Sequence, residues 1–185
     1  MLKPKMGRNS RAGAGEEPGG DAAGGDAGAE YRAALGRALR FLGRRPHAVR
    51  ELRLKLRRGL PEDTIDRVLG RLAELGYLDD LAFAREYAAQ RFSRSPRSAL
   101  AVIRELTARG VDTETAEKAV SFVLMDQGLE EQSLADAAAR KKLPSLKGLD
   151  KAEQKIKLFR FLASRGFANA AALQAAERIL KPAAQ

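Results

Sequence analysis

The amino-acid sequence predicts an all-α protein built from three tandem three-helix repeats. From Tyr31 onward apolar residues recur at the helical period, and no stretch alternates apolar and polar residues over strand length. Three amphipathic helices are followed by a basic residue and then a glycine, at Gly59, Gly110 and Gly166. Because units this small bury little apolar area alone, we expect them to lean on one another as an elongated, curved body.

Residues 1–30 differ in composition from the rest of the chain. Gly and Ala dominate this segment, and Leu2 is its only branched aliphatic residue. Such a composition buries too little apolar surface to offset the entropy lost on ordering. We therefore expect a disordered N-terminal tail.

The first repeat is predicted over residues 31–78. Its leading helix spans residues 32–42, and Pro46 separates it from the next helix because a helix interior does not tolerate proline. Pro61, followed by two acidic residues, begins the third helix. The second helix turns three apolar side chains inward: Val49, Leu52 and Leu56.

The second repeat is predicted over residues 79–128 and the third over residues 129–185, with leading helices at 81–92 and 132–142. Their second helices have the predicted inner faces Ala99, Val102, Ile103 and Leu106, and Ile156, Phe159, Leu162 and Ala163. Six, nine and ten residues after each closing glycine, a further helix carries apolar residues. These are Ile65, Val68 and Leu69; Ala116, Ala119 and Val120; and Ala172, Ala175 and Ala176.

The charge of the chain indicates an acidic or polyanionic partner. Lys and Arg number 34 against 24 Asp and Glu, which gives a net charge of +10. The excess lies in the first and third repeats, whereas the tail and the second repeat are nearly neutral. Affinity for nucleic-acid phosphates should therefore fall steeply with salt.

Basic residues occur at comparable places in successive repeats. Such residues commonly form only a solvated helix face. If the repeats stack in register, however, they form one stripe that contacts acidic patches of a protein or DNA phosphates. The candidate binding residues are Arg57, Arg58, Arg97, Arg104, Lys157, Arg160 and Arg165.

Several classes of function are disfavoured by composition. The absence of Cys excludes disulfides and Cys-based zinc sites, and the single histidine, His47, excludes a His-rich metal site. There is no phosphate-binding loop motif, and the few aromatic residues are not spaced as a stacking platform for bases. We expect no enzymatic activity, no catalytic residue, no metal and no cofactor. No apolar run is long enough for a membrane span and no secretory signal is evident, so we expect a cytoplasmic location. We also expect a monomer.

The segment Gly76-Tyr77-Leu78-Asp79-Asp80, followed by Phe83 and Tyr87, resembles the most distinctive motif of the RecX family, which comprises modulators of the RecA recombinase. The resemblance extends over about residues 35–180, although the family usually has Ser or Thr where this chain has Ala48. The motif predicts mainly structural roles: a helix end at its glycine, packing between repeats, and an N-cap at its first aspartate.

The resemblance implies a protein that lies in the groove of the RecA filament on single-stranded DNA. It would lower recombinase, ATPase and co-protease activity by capping filament growth or promoting disassembly. It further implies a role in DNA repair and the SOS response, with weak direct DNA binding as an additional property.

Two other functions fit the sequence. Three-helix units with a basic helix also occur in DNA-binding proteins of helix-turn-helix type, and residues 64–75 supply a candidate third helix with Arg67 and Arg71. A scaffold for some other acidic protein is the second alternative. Tight binding to duplex DNA without RecA would favour the helix-turn-helix interpretation.

Overall fold

The computed structural model describes residues 22–181, with side chains from residue 27 onward. Within this range it contains nine α-helices, a short 3-10 helix at Leu143–Leu146, and no strand. The all-α prediction is therefore confirmed. The helices are α1 (Ala22–Leu42), α2 (Val49–Leu56), α3 (Glu62–Glu74), α4 (Asp80–Arg94), α5 (Ala99–Ala108), α6 (Thr113–Asp126), α7 (Glu131–Lys142), α8 (Lys151–Ser164) and α9 (Asn169–Leu180).

The helices pack in three consecutive groups of three. The main contacts join α1 to α2 and α3, α6 to α4 and α5, and α9 to α7 and α8. All nine apolar residues at the repeated offsets after the closing glycines are buried, so the predicted repeat is confirmed. The residue boundaries of the three repeats remain predictions.

The N-terminal region differs from the sequence prediction. Helix α1 begins at Ala22, ten residues before the predicted start at Arg32. Residues 22–30, assigned to the tail, are therefore helical, whereas residues 1–21 lie outside the described range. The Ala residues near the start of α1 have high helix propensity, whereas the glycines between them lower it.

The buried residues form two apolar cores. The first repeat has its own, which includes Leu52, Leu56 and Leu72. The second and third repeats share a single continuous core, in which Leu106 and Leu162 are completely buried. The second and third repeats are thus more closely integrated with each other than with the first.

The predicted inner face of α8 is confirmed at Phe159 and Leu162 and wrong at Ile156 and Ala163. Ile156 is 52% exposed and Ala163 is exposed, whereas Leu158 and Leu162 are completely buried. Apolar residues occupy two faces of this helix, so periodicity alone admits both. Packing of α8 against α7 and α9 places the face that carries Leu158 in the core.

The motif at residues 76–80 mainly connects the first two repeats. Gly76 follows α3 with a φ of 74°, and Leu78 is buried in the first core. Asp79 caps α4 by accepting a hydrogen bond from the Ala82 N–H at 2.9 Å, which confirms the predicted N-cap. Tyr77 is 58% exposed, so the expectation that it packs between repeats is wrong.

Candidate functional site

The middle helices of the three repeats are α2, α5 and α8. The end of α5 contacts the start of α2, and the end of α8 contacts the start of α5. At the end of α5, a Cβ on Gly110 would lie 2.5 Å from Cβ of Arg50 in α2. At the end of α8, a Cβ on Gly166 would lie 2.7 Å from Oγ of Ser98, the N-cap of α5. The glycines therefore permit a close approach that any side chain would prevent. All seven candidate cations lie on these three helices or within two residues of them.

Five of the candidate cations are exposed, Arg57 among them; the other four are Arg58, Arg104, Lys157 and Arg160. Among the described residues none of these four side chains makes an ion pair, in contrast to many other cations of the chain. They retain their full hydrogen-bonding capacity for a ligand. These four therefore form the part of the predicted surface that is both exposed and unpaired.

The other three candidates already have partners in the fold. Nε of Arg57 lies 2.6 Å from the Glu62 carboxylate, and Nε of Arg97 lies 3.0 Å from that of Glu105. Arg165 donates to Oγ of Ser95 at 2.7 Å across the joint between the second and third repeats. The structure thus gives each of these three a contact within the fold.

Glu105 is the centre of a polar cluster beside this joint. Its carboxylate lies 2.8 Å from Nε of Arg91 and 3.0 Å from Nε of Arg97, and it accepts a hydrogen bond from the Tyr87 hydroxyl at 2.5 Å. Burial lowers the pKa of Arg165, and the nearby charges of Arg97 and Arg91 lower it further. One carboxylate therefore balances only part of the positive charge at this joint.

His47 is buried, with Nδ1 3.1 Å from the Glu51 carboxylate. Burial acts to raise the pKa of Glu51, but hydrogen bonds from Arg45 and His47 outweigh it and the pKa is lowered. This local ion cluster at the start of α2 gives His47 a structural role.

Phe83 and Tyr87 of the motif lie in α4, with their rings stacked at a centroid distance of 6.2 Å. Both pack against the shared core of the second and third repeats. The predicted structural role of the motif is therefore supported at these two positions.

Comparison with known proteins gives the family. Three models match in order along the chain: "RecX, first three-helix domain" over residues 34–72, the second such domain over residues 79–120 and the third over residues 130–176. The chain belongs to the RecX family. Its members are regulatory proteins rather than enzymes, and the chain accordingly has a RecX regulatory role.

Sequence relatives of this RecX-family chain agree over most of their length. It is 38% identical to "Regulatory protein RecX" of Prosthecochloris aestuarii over 154 residues, which cover 82% of this chain and 96% of the relative. It is 33% identical to the Streptomyces coelicolor protein of the same name over 144 residues, 77% of this chain and 75% of the relative.

Solved RecX structures share the fold. The crystal structure of RecX from Lactobacillus salivarius gives a TM-score of 0.66 at 19% identity and covers 82% of this chain and 97% of that one. A second crystal structure of regulatory protein RecX gives 0.70 at 17% identity, over 88% and 80% of the two chains.

Counting back from the closing glycines of this RecX-family chain identifies two cations that the sequence analysis missed. Arg53 stands six residues before its glycine, as Arg104 and Arg160 do, and Arg109 immediately precedes its glycine, as Arg58 and Arg165 do. Arg53 pairs with Glu62 and Asp66, and Arg109 lies over the Tyr87 ring. The fixed register from each glycine was the signal that would have found both.

Metal sites and membrane-spanning helices are two further features that the described residues could show. Across the described part of the chain, no group of three or more His, Cys, Asp or Glu side chains is arranged to hold a metal ion. None of the helices within residues 22–181 is long and apolar enough to cross a membrane.

Proposed function

We propose that this chain is a modulator, mainly an inhibitor, of RecA recombinase that binds in the groove of the RecA–single-stranded DNA filament. There it limits filament growth, ATP hydrolysis and co-protease activity, and so acts in DNA repair and the SOS response in the cytoplasm. It acts as a monomer, without a cofactor.

The end-to-start row of α2, α5 and α8 is the observation that carries this proposal. It places the exposed cations Arg58, Arg104, Lys157 and Arg160 on consecutive repeats of one body. A filament repeats its protomers along an axis, and a body with repeated cations can contact several protomers or phosphates at once. Multiple contacts of this kind raise avidity beyond that of any single contact.

The mechanism is steric and electrostatic. The second and third repeats share one apolar core, and the first repeat is attached through the motif at residues 76–80. A rigid body that spans neighbouring protomers hinders the nucleotide-dependent changes of the filament. No bond is made or broken by this chain.

The third helix of the first repeat offers little to a helix-turn-helix interpretation. Arg67 lies with its guanidinium carbon 5.0 Å from the centre of the Tyr31 ring, and Arg71 pairs with Glu74 at 3.1 Å. The rest of this helix buries five side chains in the first repeat. Helix α3 therefore offers no evident set of side chains that could recognise base edges in a sequence-specific way.

The test is a titration of the purified chain into RecA, single-stranded DNA and ATP. We expect ATP hydrolysis to fall and filaments to shorten as the chain approaches stoichiometry with RecA. Unchanged hydrolysis and unchanged filament length would contradict the proposal. Tight binding to duplex DNA in the absence of RecA would instead favour the helix-turn-helix alternative.

A further inference from the structure

A pocket lies at each joint between consecutive repeats, and the two pockets are built from equivalent positions. Each contains the arginine that precedes a closing glycine, Arg109 or Arg165, and the proline two residues before the middle helix's N-cap in the preceding repeat, Pro46 or Pro96. The joint-1 pocket, one of the pockets between the first two repeats, has these equivalent positions and a volume of about 380 Å³. Its counterpart, the joint-2 pocket, has a volume of about 350 Å³.

The two pockets differ in charge. The joint-1 pocket contains Arg45, Arg109 and the carboxylate of Glu86, and Arg45 is also paired with Glu51. The residues that line the joint-2 pocket include no acidic side chain and four basic ones: Arg94, Lys141, Lys142 and Arg165. The comparison isolates the joint-2 pocket as the one with uncompensated positive charge.

Part of this charge is balanced by the backbone. Nζ of Lys141 donates to the carbonyl oxygens of Ser93 and Arg94 at 2.6 and 3.2 Å. The C-terminal ends of α4, α7 and α8 each carry a partial charge of about −0.5, so a surplus of about 2.5 positive charges remains. Nε of Arg165 is also buried without a hydrogen-bond partner among the described residues.

The other lining groups suit a phosphate that belongs to a larger molecule. Ser95 and Ser145 line the pocket; the Ser145 hydroxyl already donates to the Lys142 carbonyl at 2.8 Å, so Ser95 supplies the hydroxyl that can donate to a phosphate oxygen. The Phe161 ring has Nζ of Lys142 5.6 Å and the Arg165 guanidinium carbon 4.5 Å from its centre. The guanidinium of Arg165 thus covers one face of this ring. Cations together with an aromatic ring are a combination that single-stranded nucleic acids use, with phosphates on the cations and a sugar or base against the remaining ring surface.

We propose that the joint-2 pocket binds a phosphodiester group of a single nucleic-acid strand, held by Arg94, Lys142 and Arg165. The inference deepens the proposed function, since it assigns to a pocket between repeats the contact with the strand that lies inside the filament. Arg165 is one of the seven candidate binding residues predicted from the sequence. Arg94 and Lys142 are not among them and are added here as strand-binding residues.

The test uses the full chain and a fluorescein-labelled dT20 strand without RecA, so that it is independent of any effect on RecA activity. Anisotropy is measured from 20 to 200 mM NaCl for the unmodified chain and the double variant Arg94→Gln/Lys142→Gln. The matched control is Arg45→Gln/Arg109→Gln in the joint-1 pocket, which removes the same charge. Circular dichroism and thermal melting establish that each variant is folded.

Loss of one phosphate contact lowers the steepness of log K against log salt by about 0.7 for a single strand. We expect a decrease of this size and about tenfold weaker binding at the lowest salt for Arg94→Gln/Lys142→Gln only. The proposal is overturned if both double variants behave alike, because net charge alone then explains binding. A second result would also overturn the proposal: poly-glutamate displaces dT20 at equal charge concentration, and the affinity of the chain for poly-glutamate is lost in the Arg94→Gln/Lys142→Gln variant. The pocket would then bind an acidic protein segment.

A third arm separates a strand from a free anion. Inorganic phosphate at 10 mM should leave the melting temperature of the unmodified chain unchanged relative to sodium chloride at the same ionic strength. The proposal would be overturned if phosphate raised the melting temperature of the unmodified chain but not of Arg94→Gln/Lys142→Gln, and if this variant bound dT20 normally. The ligand of the pocket would then be a free phosphate ion and not a strand. If dT20 binding depends on the pocket but ATP hydrolysis by RecA does not change when the chain is added, the pocket proposal is supported and the proposed function is contradicted.

Discussion

The carboxylate of Asp80 accepts a hydrogen bond from the backbone N–H of Val49 at 2.9 Å, so the second repeat caps a helix of the first. Helix α2 has Ala48 at its N-cap and makes no side-chain cap of its own. The corresponding helix of the second repeat is capped locally by Ser98, which accepts from the Ala101 N–H at 3.1 Å. Asp80 thus supplies from another repeat the acceptor that Ala48 lacks.

We predict that Asp80→Ala destabilises the protein and Asp80→Asn does not. Asp80→Ala leaves the Val49 N–H without its acceptor and should lower the free energy of unfolding by about 1 kcal/mol. Asp80→Asn retains an oxygen that accepts this hydrogen bond. Urea denaturation of the two variants at pH 7 measures the difference; equal losses would show that the cap contributes nothing.

The pH dependence of the same pair follows from the surroundings of Asp80. Burial raises the pKa of its carboxyl, the Val49 hydrogen bond opposes this, and the carboxylates of Asp112 and Asp79 add to the rise. The folded state therefore holds this proton more tightly than the unfolded chain. The group's contribution to stability decreases as the pH rises from the ordinary aspartate range through the raised value.

We accordingly predict that the stability advantage of Asp80→Asn over the unmodified chain grows with pH through this range and is constant above it. Urea denaturation at half-unit pH intervals from 3.5 to 7 would show the trend, where the unmodified protein remains folded. An advantage that shrinks as the pH rises would mean that the Asp80 pKa is lowered in the folded state.

We predict that Gly110→Ala is much more destabilising than Gly59→Ala. Both glycines have a positive φ, 96° and 85°, which costs an alanine about 1 kcal/mol. At Gly110 the new Cβ also collides with Arg50, whereas at Gly59 nothing lies within 4 Å. The collision should add about 1–3 kcal/mol to the loss. Chemical denaturation of both variants tests this, and equal losses would contradict the close contact between α5 and α2.

We predict that Glu105→Gln destabilises the second repeat, whose helices α4 and α5 Glu105 connects. It removes the carboxylate shared by Arg91 and Arg97, whose side chains are about one-third exposed. The cost should be about 1–2 kcal/mol, between that of an exposed and a buried ion pair. Glu114→Gln, which breaks the exposed pair with Lys118, is the control and should leave thermal stability within error. A larger effect of the control would contradict this account.

We predict that the two apolar cores respond separately to mutation. Leu56→Ala should increase amide hydrogen exchange in α1–α3, and Leu162→Ala should increase it throughout α4–α9, because the second and third repeats share one core. Each substitution removes a completely buried side chain and should cost about 2–5 kcal/mol. Equal effects over all nine described helices from either variant would indicate one cooperative unit instead.

Local periodicity was sufficient for most of the fold. The repeated offsets after Gly59, Gly110 and Gly166 identified nine buried residues because helix ends and apolar spacing are local properties. The same reasoning failed in part for α8, where Ile156 and Leu158 belong to two apolar faces and only the packing of neighbouring helices decides between them.

The site was less predictable because contacts between repeats are not local. The Asp80–Val49 hydrogen bond and the contact of Arg165 with Ser95 join residues 31 and 70 positions apart. Composition identifies cations but does not show which of them already have a partner in the fold. Structure was needed to separate exposed Arg104 from Arg97, which is paired with Glu105.

The central claim is that the exposed cations of the middle helices bind the RecA filament. Its most direct test is a measurement of the affinity of fluorescently labelled chain for preassembled RecA–single-stranded DNA filaments, with Arg104→Glu/Arg160→Glu compared with Arg71→Glu. All three arginines are exposed, but Arg71 lies on the third helix of the first repeat. We expect at least tenfold weaker binding for the double variant and a change of less than twofold for Arg71→Glu. Equal affinity of the double variant and the unmodified chain would contradict the claim.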